Sequence, residues 1–251
     1  CAWTDSLSFL LLTRTDAVTC KGHRVGVFME ARATQMDTLR ADKAGAPTLH
    51  THLDALAACR RCADAGHTTL GLPVCGAHAG HVADILRRRQ RVMLVGQAPG
   101  KVEATGGVPF AGQAGRRLFA WLAEAGIDEH DFRQHVYITA ITRCYPGPAS
   151  SGRGDRVASP AERDLCAPWL AREREIVAPH LIIPVGRLAI DAFAGKVPLA
   201  EVVGGPLTVA GTTILPLPHP SGASAWTNSP TNRAKVSSAL QWLGDWWRRS
   251  R

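Results

Sequence analysis

Four short apolar runs, set between segments of helical periodicity, constrain this chain more than any other feature. Residues 92–95 (VMLV), 136–141, 181–185 (LIIPV) and 213–217 are rich in aliphatic and β-branched side chains and end at turn residues. That is the pattern of strands buried on both faces. Between them, 113–126 places Leu118, Phe119, Leu122 and Ala125 on one helical face and stops at Gly126. Further helices are read at 47–58, at 160–177 with its acidic start, at 187–194, and at 229–247 with Leu240, Leu243 and Trp247 inward. The stretch 64–91 reads as loop followed by a short helix. Strands alternating with helices predict an α/β fold: a three-layer α/β/α sandwich around a central, mainly parallel four-stranded sheet. In such sheets ligands bind at the carboxyl ends of the strands.

The 251 residues are 45% apolar and 20% charged, which excludes a disordered acidic tail, a collagen and a small disulfide scaffold. Lys and Arg outnumber Asp and Glu by 29 to 21, a formal charge of +8, so a polyanionic partner fits. No apolar run approaches the roughly 18–20 residues that span a bilayer. Residues 1–35 read differently from the rest: the chain opens on Cys1, and 7–12 (LSFLLL) has no basic region before it. They are assigned to an N-terminal extension outside the fold, with one domain over 36–251. A cytoplasmic, monomeric protein without a nucleotide cofactor is expected. Residues 146–159 (PGPASSGRGDRVAS) form a mobile loop by composition.

Two segments carry chemistry. In 95–115 (VGQAPGKVEATGGVPFAGQAG) a strand runs into a Gly-Gln-Ala-Pro-Gly turn, then a loop with Phe110, then a helix start. Small residues let backbone approach a ligand, and a helix N-terminus offers free N–H groups to an anion. The segment fits neither the Walker nor the Rossmann pattern. In 217–224 (LPHPSGAS), His219 stands between two prolines past the last strand, a rigidly placed donor. Seven cysteines in a chain without a secretory signal point to metal or cluster ligands, not disulfides. Spacing alone allows two sets. Cys59 and Cys62 form C-x-x-C, which with Cys144 and Cys166 makes a thiolate quartet for an iron–sulfur cluster. With Cys75 and His78 the same pair makes a local zinc pattern.

Together these stretches resemble the uracil-DNA glycosylase superfamily, most closely its iron–sulfur branch, family 4. The matching segments are 96–103, 107–115, 138–146, Cys166 and 219–221, and the resemblance covers about 50–247. It implies a DNA glycosylase of base excision repair that flips a damaged or modified base, uracil by default, out of DNA and hydrolyses its N-glycosidic bond. By the same resemblance His219 donates to the base oxygen as negative charge develops, and Phe110 stacks on the extruded base. Gly96, Ala98, Pro99, Gly100, Ala140 and Ser221 line the pocket. Cys59, Cys62, Cys144 and Cys166 hold a 4Fe–4S cluster that braces loops near the DNA, with zinc as the alternative.

Two departures stand out. The family's Glu in the first motif is Gln97, which orients water without taking its proton. The Asn that reads the pyrimidine edge is Ala140, which makes no hydrogen bond with its side chain, so uracil selectivity does not carry over directly. Thr139 and Thr142 are the nearest substitutes. The joint loss of Glu and Asn leaves an alternative, a catalytically weak DNA-binding protein that senses modified bases. The loop at 146–159 reads equally as a DNA-contacting flap or a solvated surface loop. The run Arg87, Arg88, Arg89 and Arg91 reads as a solvated face that could touch DNA backbone, as could Arg116 and Arg117; Trp242, Trp246 and Trp247 read as core and domain edge.

Overall fold

In this computed structural model, residues 48–67, 73–74, 82–151, 154–221 and 225–250 are described. The 1–35 extension, the boundary at 36, and Cys75 and His78 of the zinc pattern lie outside them. The sheet is built on β1 (Val92–Gly96), which pairs in parallel with β2 (Val136–Ala140) on one side and β3 (Leu181–Pro184) on the other. Beyond β3 lies β5 (Thr212–Ile214), also parallel, and β4 (Leu207–Val209) closes that edge antiparallel to β5. The order is β2-β1-β3-β5-β4. All four expected strands are present. The fifth was missed because it is three residues long and exposed in its outer half, so it carries no apolar run.

Side-chain alternation along the strands divides the core in two. Met93, Val95, Tyr137, Ile182 and Ile214 point to one face, where they meet α1 (Leu49–Ala57), α3 (Val82–Arg87), α7 (Pro160–Val177) and α8 (Arg187–Ala194). Val92, Leu94, Val136, Ile138, Leu181 and Ile183 point to the other, against α5 (Gln113–Glu124), α6 (Glu129–His135) and α10 (Pro230–Arg249). This is the three-layer arrangement the alternation predicts. Three short helices have no counterpart in the sequence reading: α2 (Arg61–Asp64), α4 (Lys101–Gly106) and α9 (Leu199–Val202). So does α6, whose Asp128 cap accepts the Asp131 N–H at 3.0 Å.

Two features fix where the site forms. The register pairs Gly96 with Ala140, so the first and third motifs leave the sheet side by side. Val185 bridges Leu217 in parallel, which brings 217–221 to the same edge. The arginines at 87–91 lie at the opposite end of β1, about 15 Å away along the strand. Their contacts are structural: Arg87 pairs with Asp84, Arg88 lies over the Trp247 ring, and Arg91 donates to the Ala178 carbonyl. These contacts fit a solvated face at the end of the sheet away from the motifs. Trp247 is buried and stacks on Phe132, as a core residue.

Candidate active site

A cavity of about 760 Å³ opens at the carboxyl edge of the sheet. Gly96, Gln97, Ala98, Pro99, Gly100, Phe110, Ala140, His219 and Ser221 all line it, so the structure gathers every pocket residue read from the sequence. Thr139 lines it too, but its hydroxyl donates to Glu173 at 2.8 Å. Thr142 is buried and does not line the cavity. Neither threonine stands in for the absent Asn.

Phe110 is placed by tension in the backbone. Its φ is +54°, a left-handed conformation that costs a non-glycine residue on the order of 1–2 kcal/mol. Arg133 holds it there, donating to the carbonyls of Pro109 at 2.9 Å and Phe110 at 3.1 Å while its guanidinium lies over Phe119. A β-carbon on Gly96 would stand 2.9 Å from the edge of the Phe110 ring, and one on Gly115 would collide with the Phe110 carbonyl. Both glycines are therefore spaces into which Phe110 fits. Arg133 carried no sequence signal, since its role depends on α6, which the reading lacked.

His219 is oriented by its neighbour. The Ser221 backbone N–H donates to its Nδ1 at 3.2 Å, and the Ser221 hydroxyl lies 2.8 Å from the same nitrogen. A ring nitrogen that accepts a backbone N–H carries no proton, so the neutral ring holds its proton on Nε2. Burial lowers the His219 pKa below its usual range, which favours that neutral ring.

Gln97 is committed elsewhere. Its side-chain oxygen accepts the backbone N–H of Leu188 at 3.0 Å, in the first turn of α8, whose cap residue Gly186 has no side chain to do so. Gly186 has φ +88°, and a β-carbon there would lie 3.0 Å from both Gln97 Cδ and His219 Cδ2. This glycine lets the two polar side chains meet.

Within 146–159, the described residues pair as a hairpin through an antiparallel bridge between Pro148 and Asp155. Gly154, Asp155, Arg156, Val157 and Ala158 form one wall of the cavity. Arg156 anchors the hairpin through two 2.7 Å bonds to Glu162, whose carboxyl is held down to about 2 by that guanidinium.

Cys59 and Cys62, on one C-x-x-C stretch, and Cys144 and Cys166, from two further segments, are free thiols. Cys62 and Cys144 share a hydrogen bond. Burial, then the neighbouring thiols Cys62, Cys166 and Cys59, push Cys144 up to about 12. Burial also raises Cys62 and Cys166. Among the described residues, no three His, Cys, Asp or Glu side chains converge tightly enough to hold a single metal ion. Four soft thiols, three of them near enough to raise the pKa of Cys144 together with burial, are a donor set that iron–sulfur ligation could use.

A sequence model of the uracil DNA glycosylase superfamily matches residues 83–244. The chain is 34% identical over 134 residues to a type-4 uracil-DNA glycosylase of Thermotoga maritima, covering 52% of this chain and 65% of that one. It is 33% identical over 109 residues to the type-4 enzyme of Archaeoglobus fulgidus, covering 43% and 50%. It is 30% identical over 166 residues to that of Saccharolobus solfataricus, covering 61% and 72%. The matched stretch thus spans about half to two thirds of the length of the first two relatives. The chain belongs to the uracil-DNA glycosylase superfamily, and within it to the type-4 branch.

Proposed function

We propose that this chain is a monofunctional DNA glycosylase that takes a flipped base, uracil by default, and hydrolyses its N-glycosidic bond. The observation that carries this is His219: a neutral imidazole, its Nδ1 occupied by Ser221, lines the cavity that Phe110 walls. As the C1′–N bond lengthens, negative charge grows on the base and positive charge on the sugar. A fixed Nε2–H donor stabilises that anion without surrendering a full proton, which for one well-aimed donor is commonly worth ~3–4 kcal/mol. Phe110 offers its ring for stacking, worth about 1–3 kcal/mol per base. Gln97, with its oxygen on Leu188, presents its amide N–H groups to the cavity. It therefore donates to a water or a base carbonyl and takes no proton. Ala140 leaves open space where a polar reader would stand, so a base wider than uracil also fits the reading.

DNA is the partner this reading requires. Arg116 and Arg117, exposed on the first turns of α5, would contact its phosphates. Cys59, Cys62, Cys144 and Cys166 would hold a 4Fe–4S cluster, whose positive iron charge would stabilise the four thiolates, two of them buried. Its contribution is to tie together the segments that carry them; nothing in the cavity needs it for bond cleavage.

The test is strand scission of oligonucleotides carrying uracil, hypoxanthine, xanthine or a modified cytosine. Abasic product with the parent and a loss of 10²-fold or more in His219→Ala support the enzyme. Retarded DNA with no abasic product from any base overturns it in favour of a base-sensing binder.

A further inference from the structure

The hairpin wall brings a carboxylate into the cavity from outside the motifs that mark the family. Asp155 sits on the antiparallel bridge to Pro148, with Ala149 N–H donating to the Gly154 carbonyl at 3.0 Å and Arg156 N–H to that of Gly147 at 3.0 Å. The Tyr145 hydroxyl donates to Asp155 Oδ1 at 2.8 Å, and the next residue, Arg156, grips Glu162. Asp155 is thus held from both sides. A β-carbon on Gly100 would stand 2.8 Å from Glu103 Oε2 and 3.0 Å from Asp155 Oδ2, so glycine leaves open a space that both carboxylates face. Gly100, Gln97, His219 and Asp155 line one cavity.

A fixed negative charge at the mouth of a pocket that takes DNA repels phosphate, so its presence calls for a compensating use. Two other such groups of the lining, Glu103 and Gln97, are engaged by the protein. Glu103 is buried and accepts the Gly112 N–H at 2.9 Å, which braces the loop between α4 and α5. Gln97 has its oxygen on Leu188. Asp155 is exposed to the cavity and held by Tyr145, whereas Glu103, whose Oε2 also faces Gly100, is buried and braced by the Gly112 N–H.

On the reading that this cavity excises a base, we propose that Asp155 is the general base of the reaction, supplying the carboxylate that Gln97 lacks. A water between Asp155 and the sugar gives its proton to Oδ2 while its oxygen bonds to C1′. The C1′–N pair leaves with the base, whose charge His219 Nε2–H stabilises. The proton on Asp155 then passes to the departed base anion, so that one water and one nucleoside give an abasic sugar and a neutral base. General-base assistance of this kind contributes about 10²–10⁴-fold.

Single-turnover excision and DNA affinity are measured separately for the parent, Asp155→Asn, Asp155→Glu and Tyr145→Phe, each with a thermal melt. Asn keeps an oxygen for Tyr145, so D155N removes the charge and leaves the hairpin bond. The expected result is a fall of 10²-fold or more in the saturated rate of D155N, with affinity equal or tighter because a repulsive charge is gone. D155E retains at least a tenth of the parent rate, and Y145F falls between. A D155N rate within threefold of the parent, or a loss confined to affinity, overturns the proposal. Should D155N melt early, a D155E that cleaves no faster than His219→Ala overturns it equally. An inactive parent overturns the glycosylase reading as well; an active parent with an active D155N overturns only this one.

Discussion

The side-chain oxygen of Gln97 caps α8 by accepting the Leu188 N–H at 3.0 Å. The bond spans two motifs: Gln97 follows β1, whereas α8 follows β3. Because Gly186 has no side chain, the Leu188 N–H has no other acceptor of its own turn. Gln97→Ala therefore leaves a helix-start donor unsatisfied. It should cost about 1–2 kcal/mol, or roughly 2–8 °C in melting temperature for a chain of this size. Gln97→Glu keeps the acceptor and places a negative charge at the helix N-terminus, so its melting temperature should equal or exceed that of the parent. Differential scanning calorimetry of the three proteins checks the order.

His219 sets the pH behaviour. Burial lowers its folded pKa below the usual 6.5, so the unfolded chain binds that proton more readily than the folded one. Stability from this group is therefore complete above about pH 6.5 and is lost as pH falls from there towards the folded pKa. Protonation would also put a hydrogen on Nδ1, against the Ser221 N–H. Excision should stay flat from pH 8 to about 6.5 and decline only at lower pH. A pH–rate profile checks this, with urea unfolding at matched pH values: His219→Gln should flatten the acid-side loss of stability.

The sheet was legible because its strands are buried on both faces, so residues such as 92–95 carry no polar interruption. Pocket residues were legible because they stand where strands end, and Gly96 and Ala140 are register partners. What the sequence hid depends on contacts across the fold. That α8 claims the Gln97 oxygen, leaving only its N–H groups to donate, shows only in the fold. Asp155 looks like one charge in a Gly/Ser loop until Tyr145 and Pro148 fold it back over Gly100. Arg133 becomes informative only when α6 carries it under Phe110.

Arg133 is the clamp on that strained phenylalanine. Its two N–H donors reach adjacent carbonyls, a geometry a lysine cannot reproduce. Arg133→Lys should let Phe110 relax out of its left-handed conformation and swing the ring from the cavity wall. Single-turnover assays should show weaker binding of the flipped base, a loss of about 10-fold if one stacking contact of 1–3 kcal/mol is impaired. Gly96→Ala, which pushes on the same ring, should give a similar loss. Fluorescence of a 2-aminopurine beside the target base reads the flipping step directly.

The thiol quartet predicts a cofactor signature. Cys166→Ser removes one of four ligands drawn from three segments, so the purified variant should lose bound iron and the brown visible absorbance of the parent. Its melting temperature should fall with them, because cluster binding holds those segments together. Zinc in equal amount to protein, with no visible absorbance in the parent, would instead point to the set with Cys75 and His78.

Helix α7 links that quartet to the pocket floor. Glu162, Cys166, Leu170, Glu173 and Val177 are its buried residues and share one face. Glu173, fully buried, pairs with Arg143, itself only 2% exposed, and accepts the Thr139 hydroxyl from the end of β2. Arg143 in turn donates to the Ala140 carbonyl, so one buried charge pair sets the last turn of the strand that floors the cavity. Burial, with Glu173 beside it, also holds the Tyr137 hydroxyl well above its usual range, and His52 Nε2 lies 3.8 Å from the same carboxylate. Removing one partner strands the other in a dry interior, which costs about 3–5 kcal/mol. Glu173→Ala should therefore lower the melting temperature by roughly 6–20 °C. Replacing both residues with apolar ones of similar volume, Arg143→Met with Glu173→Leu, should recover most of that loss. If the double variant recovers stability but not excision, the pair serves to hold Ala140 and Thr139 in place beneath the base.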